Sequence, residues 1–295
     1  MVLPNFLIIG AAKAGTTSIA QYMKQHPQIY ISPVKEPYFF SFEGQTPNFQ
    51  GPGDSDTFSY AVTRLADYEH LFDKVNGETA IGEASVSYLH IPETAERISQ
   101  HLSQVKILVI LRDPAERAYA HFMHQIRDGH ESTIDFSEAL QVEDQRIQDN
   151  WMFPWHYKRN GFYFEQLSTY LSIFDARQIK VWLYEDLQKD AAGLLKEIFY
   201  FLGVDDTFTP DLSVRYNISG IPKNRTIFNL IDKPNLAKKV LRPLLPQKMR
   251  YKLRKSALEK PLMSKDIRNH LVNIYRDDIL KLQDLINRDL SNWLS

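Results

Sequence analysis

Not one cysteine occurs among the 295 residues, which excludes a disulfide framework, a thiolate metal site and a cysteine nucleophile. A charge excess is missing too: 35 Lys and Arg stand against 36 Asp and Glu. A general nucleic-acid binder carries a basic surplus, so that class is set aside. No stretch approaches the ~18 consecutive apolar residues that a membrane-spanning helix needs. The apolar run near the start is too short for a leader's core and has no basic segment before it, so the expected location is cytoplasmic. There is no internal repeat and no low-complexity tract. What remains is 43% hydrophobic content, enough to bury the core of one large α/β domain.

The first thirty residues organise the chain. Phe6-Leu-Ile-Ile9 is an apolar run of strand length that stops at Gly10, and from Ser18 the pattern turns helical, with Ile19, Tyr22 and Met23 at i, i+3, i+4. Between them lies Gly10-Ala-Ala-Lys-Ala-Gly-Thr-Thr17, a small-residue turn that lets backbone approach a ligand. The N–H groups opening the next helix suit a bound phosphate. The nucleotide-triphosphate loop G-x-x-x-x-G-K-[ST] is not met, because Thr16 stands where its Lys belongs. Lys13, in mid-loop, is the cation placed to neutralise a phosphate or a leaving oxygen.

Further along, strands alternate with helices. Val105-Lys-Ile-Leu-Val-Ile-Leu111 is a near-continuous apolar run of the kind buried on both faces of a parallel sheet. Thr79–Ser85 and Gln178–Tyr184 read as further strands, and 61–75, 92 onward, 112–127, 135–149, 161–174, 189–202 and 265–287 as helices. Residues 43–60, rich in Gly, Pro, Asn, Asp and Ser, are expected to form a long exposed excursion. Such alternation implies right-handed crossovers. Arg112-Asp-Pro follows the central strand at its carboxyl end, where open α/β sheets place ligands, and Arg is suited to clamping phosphate.

The strand, the [AG]-x-K-x-G-T-T-S turn and the helix together resemble the 5′-phosphosulfate loop of the sulfotransferases, which use 3′-phosphoadenosine 5′-phosphosulfate (PAPS) as sulfuryl donor. Arg112-Asp-Pro-Ala-Glu-Arg-Ala-Tyr-Ala-His121 resembles that family's 3′-phosphate motif, except that Ala120 replaces its serine. Lys35-Glu-Pro-Tyr-Phe-Phe40 resembles the K-E-x-x-[FY]-F segment of the heparan-sulfate and other Golgi-type members, with Tyr38 and Ser41 where some carry His and Asp. Tyr216–Arg225 resembles the late loop that closes over the nucleotide.

The resemblance implies a single-domain, P-loop-like α/β fold over residues 1–295, with three layers and a central parallel sheet flanked by helices. It implies that Lys13, Ala14, Gly15, Thr16, Thr17 and Ser18 hold the 5′-phosphosulfate. Arg112, Ser219, Gly220, Lys223 and Arg225 would grip the rest of the nucleotide, with no metal required. Glu36, desolvated against Phe39 and Phe40, would be the general base. His90, in Tyr88-Leu-His-Ile-Pro92, is the rival base by similarity to the cytosolic aryl and steroid enzymes. His121, His124 and His130 read as surface or helix-packing residues.

The acceptor is expected to be a small molecule or glycan bearing a hydroxyl. The 233–260 stretch, with ten Lys or Arg and one acid, is a candidate contact for an anionic or membrane-associated acceptor, or simply a solvated helical pair. Two alternatives stay open at this level: a P-loop kinase or ATPase, and an inactive protein that binds the product nucleotide PAP without turnover.

Overall fold

The structure is a computed structural model that describes residues 2–214, 216, 220–224, 228 and 256–295. Its centre is a five-stranded sheet of β1 (Phe6–Gly10), β2 (Ile29–Ile31), β3 (Ala80–Ala84), β4 (Lys106–Leu111) and β5 (Ile179–Leu183). The order is β2-β3-β1-β4-β5, and every neighbouring pair is parallel. All five residues of β1 and of β3 are buried, as are Ile107 to Leu111 of β4. Alternate side chains point to opposite faces, so unbroken burial means that both faces are covered.

The cover is helical. The first helix, Thr16–Met23, packs with Ala191–Leu202, while Thr94–His101, Pro114–Asp128, Tyr163–Ile173 and Lys265–Ile286 pack among themselves. The fold is therefore the expected three-layer α/β architecture. Close approach within the sheet requires Gly82: a Cβ there would stand 2.5 Å from the carbonyl oxygen of Phe6.

Because all five strands are parallel, their carboxyl ends share one edge. The connection leaving β1 runs towards β2, whereas that leaving β4 runs towards β5. A crevice opens between two adjacent strands whose connections diverge in this way. It lies between the turn after Gly10 and Arg112.

Two expectations are corrected. Residues 43–60 are not simply an exposed excursion: they contain the helix Asp54–Phe58, and Asp54 is 2% exposed. Phe42, Phe49 and Phe58 pack edge-to-face there, so aromatic rings anchor a segment whose composition reads as loop. Within 61–75 the α-helix covers only Leu65–Glu69 and tightens into a 3₁₀ turn at His70–Phe72. Late in the chain a two-residue β6 (Ile221–Pro222) pairs antiparallel with β7 (Leu258–Glu259). Residues 233–255 of the basic stretch, Ser219 and Arg225 lie outside the described residues.

Candidate active site

The turn after β1 is held from below: the Ala11 N–H donates to Ile110 O of β4 at 2.6 Å, and Ala14 N–H to Ala11 O at 3.2 Å. Lys13 has φ 67° and Gly15 φ 89°, so the backbone doubles back on itself before the helix begins. The glycine takes this conformation without a steric penalty. The first helix then starts with no side-chain cap and no acidic residue in its first turn. That end carries the positive pole of the helix and attracts an anion.

Arg112 reaches the same turn from β4. It is 6% exposed, donates from Nη1 to Lys13 O at 3.1 Å and from Nη2 to Glu116 Oε2 at 3.2 Å, and sits over the ring of Tyr184. Its charge is thus fixed beside the turn that follows β1. The cavity here has a volume of about 760 Å³ and is lined by Lys13, Gly15, Thr16, Thr17, Ser18 and Arg112 on one side and Glu36, Tyr38 and Tyr60 on another.

Lys13 pays for its position. Burial pushes its ammonium pKa well below the usual lysine range, and Arg127 and Lys35 add repulsion that Asp128 and Glu36 offset only in part. An arriving anion would reverse that penalty. Glu36 occupies a strained position with φ 55°. Its N–H donates to Ala84 O at 3.1 Å, and its Oε1 accepts from Lys35 Nζ at 2.5 Å. The Tyr38 hydroxyl also hydrogen-bonds Glu36, and burial followed by the Glu36 charge raises the phenol's pKa well above its ordinary value.

Several expected site residues stand elsewhere. Ala14 is fully buried and absent from the cavity wall. The Ser18 hydroxyl faces the cavity but exchanges hydrogen bonds with Tyr216, donating to its carbonyl and accepting from its N–H, each at 3.3 Å. Phe39 and Phe40 pack with Tyr68, Tyr88 and His101 in the interior. His90 does not line the cavity; its ring lies on Phe153 and its buried Nε2 has no hydrogen-bond partner among the described residues. Burial holds its pKa down at about 3. Gly220 and Lys223 flank β6, where Lys223 N–H donates to Ala257 O at 3.0 Å, and neither lines the cavity.

Other residues join the site unannounced. Contrary to the expectation from the sequence, His121, His124 and His130 line the cavity, with Gln125 and Asp128. His121, His124, Gln125 and Asp128 recur at helical spacing on one face of Pro114–Asp128, a signal the sequence did carry. Burial, and then the charge of Lys13, press the pKa of both His121 and His124 well below the ordinary value. Tyr184, Leu187 and Gln188 follow the carboxyl end of β5, and Lys260 is contributed from beyond β7. Asp54 enters the wall as well, its carboxylate accepting from Gly51 N–H, Met152 N–H and Trp155 Nε1–H at 2.9, 2.8 and 3.0 Å. Ala120 is 1% exposed and lies off the cavity wall.

This geometry has relatives. A sulfotransferase from Alicyclobacillus acidocaldarius, known from its crystal structure, superposes with a TM-score of 0.81 at 34% identity, over 100% of both chains. The membrane-associated sulfotransferase kil1 of Dictyostelium discoideum is 22% identical over 77% of this chain and 62% of its own. The bifunctional heparan sulfate N-deacetylase/N-sulfotransferase 4 of Mus musculus is 25% identical over 99% of this chain but 31% of its own. The chain thus spans less than two thirds of the length of either of these curated relatives. A family model described as the sulfotransferase domain matches residues 3–216, a span that takes in the cradle, the Glu36 segment and Arg112. This protein belongs to the sulfotransferase family.

Proposed function

We propose that this enzyme moves a sulfuryl group from PAPS to an acceptor hydroxyl of a carbohydrate, a glycolipid or a small aliphatic alcohol, with Glu36 as the general base. The observation that carries the reading is a single cavity walled by the N-terminus of the first helix, Lys13, Arg112 and Glu36. The donor fits these residues: a phosphosulfate satisfies the helix pole and relieves the desolvated Lys13. Arg112 is the candidate for the 3′-phosphate. With Ala120 buried and lacking a hydroxyl, Lys260 is a further cation on the wall that is suited to help. Gly220 and Lys223, together with Ser219 and Arg225, remain candidates for closing over the nucleotide.

The bound donor supplies an activated sulfur. Glu36 takes the acceptor's hydroxyl proton as that oxygen attacks in line, and the electron pair of the cleaved S–O bond goes to the 5′-phosphate oxygen. Lys13 stabilises the charge that develops there. His90, buried with a pKa of about 3 and away from the wall, is the weaker candidate for the base.

Heat unfolding with PAP, and in parallel with ATP and Mg²⁺, tests the donor. PAP at 100 times its dissociation constant should stabilise the protein by about 2.7 kcal/mol, without metal. Arg112→Ala should abolish that shift. Stabilisation by ATP and Mg²⁺ alone would overturn the donor assignment. Glu36→Gln should then keep the PAP shift and lose transfer, whereas His90→Gln should keep both.

A further inference from the structure

Beneath the Glu36 turn lies a carboxylate that none of these roles uses. Glu83 is the penultimate residue of β3, is 0% exposed, and among the described residues has no cation hydrogen-bonded to it. Instead it gathers hydroxyls. Oε1 accepts from Tyr68 Oη–H at 3.2 Å, Oε2 accepts from Ser85 Oγ–H at 2.9 Å, and the Tyr88 hydroxyl hydrogen-bonds the same carboxylate.

Two of those hydroxyls also accept backbone N–H groups from the Glu36 segment. Tyr38 N–H points at Ser85 Oγ and Phe40 N–H at Tyr88 Oη, each at 3.4 Å. The segment needs such restraint, since Glu36 and Tyr38 have φ of 55° and 61°, where side chains of L-residues are strained. We propose that Glu83 is a positioning residue for Glu36, its ionised carboxylate orienting Ser85 and Tyr88 so that their oxygens hold the amides of Tyr38 and Phe40.

The reason is one of counting protons. An ionised carboxylate only accepts, so each hydroxyl aims its hydrogen at Glu83 and keeps its lone pairs for an amide. A protonated Glu83 brings a donor of its own, which must occupy one of those oxygens or leave the cluster. A Gln brings two donors and disrupts the arrangement more strongly. Burial raises the Glu83 pKa to about 7, against hydrogen bonds from Tyr88, Ser85 and Tyr68 that favour the charged form. The titratable groups facing it are Tyr68, Tyr88, Glu36 and, from the helix Tyr163–Ile173, Tyr170. The three phenols have pKa values raised well above their ordinary ones, so they stay neutral in this range.

This inference rests on the reading of Glu36 as the base, and the test separates the two. Hydrogen exchange of the peptide covering residues 35–42 is followed by mass spectrometry in wild type, Glu83→Gln, Ser85→Ala and Glu36→Gln, with PAP-induced thermal shifts alongside. Exchange should rise at least ~10-fold in Glu83→Gln and in Ser85→Ala, with the PAP shift unchanged. In wild type, protection of this peptide should fall as the pH drops through about 7, beyond the intrinsic change in exchange rate, and Glu83→Gln should lack that step. With sulfur-35 PAPS and octyl glucoside as probe acceptor, both variants should lower kcat more than the KM for PAPS.

Unchanged exchange in Glu83→Gln and Ser85→Ala overturns the inference. So does parallel loss of the PAP shift in both, which marks a general defect of the fold. If Glu83→Gln fails to fold, Ser85→Ala carries the same decision. Full transfer by Glu36→Gln, with the exchange effects still present, would remove the base reading and leave only a structural clamp.

Discussion

A lysine stripped of solvent is an unfavourable place for a charge until an anion arrives. Lys13 is in that state, with Arg127 and Lys35 repelling it as well. On the proposed donor assignment, binding a phosphosulfate or PAP should return its pKa towards the ordinary value and so take up protons from the medium. Calorimetry in two buffers of different ionisation enthalpy should therefore give different binding enthalpies, and Lys13→Met should remove that difference. Affinity should also weaken as pH rises, because the uncharged lysine must then be protonated on binding. Lys13→Ala should cost transfer about 10²–10³-fold, the scale of losing one preorganised group opposite developing charge. A Lys13→Met protein whose binding enthalpy still depends on buffer would place the proton uptake elsewhere.

At the scale of elements, the site depends on segments held by a few buried polar groups. Asp54 joins Gly51, Met152 and Trp155, binding the start of the 54–58 helix to the aromatic loop at 151–157. That loop is secured again by Arg146, whose guanidinium makes a two-pronged pair with Glu131 at 2.8 Å for each contact and lies over Trp151 and Trp155. Asp54→Ala leaves three donors without their acceptor, at about 1–3 kcal/mol for each that stays buried. Limited proteolysis should then cut within 43–60 while the sheet core survives; resistance equal to wild type would show that Phe42, Phe49 and Phe58 suffice. Gly82→Ala acts differently, driving a Cβ into the backbone of β1. A loss of about 1–3 kcal/mol in urea unfolding is expected, since a strand backbone yields less than a flexible side chain.

For the molecule as a whole, pH dependence sums opposing contributions. His90 and His156 have folded pKa values lowered to about 3 and about 4, and His121 and His124 are lowered well below the usual range. Each binds a proton more readily when unfolded, so its contribution is present above the ordinary histidine value and is lost as pH falls through the folded one. Glu83 and Asp278 act the other way. Their pKa values are raised to about 7 and about 6, which favours the folded state on acidification between the ordinary carboxylate values and those figures. The histidine shifts outweigh those of Glu83 and Asp278 and the smaller upward shifts of Glu143 and Glu185, which predicts a net loss of stability below about pH 6.5, read as a falling urea midpoint. His90→Gln should flatten that slope and Glu83→Gln should steepen it. A midpoint that rises on acidification would mean that the carboxyls dominate.

The elements, and the turn between the first strand and helix, were legible in the residues because their causes are local. An apolar run stopped by Gly10, a small-residue turn and helical spacing from Ser18 determine a strand, a turn and a helix wherever they lie. The run from Val105 to Leu111 likewise declared its burial on both faces. Arg112 was legible through its place after that strand. What the sequence could not determine is which distant surfaces converge. His121 and His124 looked like packing residues because an amphipathic face does not say whether it meets a core or a cavity. The 43–60 composition concealed two aromatic anchors, Phe49 and Phe58, and Glu83 was invisible as a hub because its partners stand at 68, 85 and 88 and act on amides at 38 and 40. Only the tertiary structure decided these, since burial and the desolvation that shifts a pKa belong to the assembled neighbourhood and not to any stretch of chain.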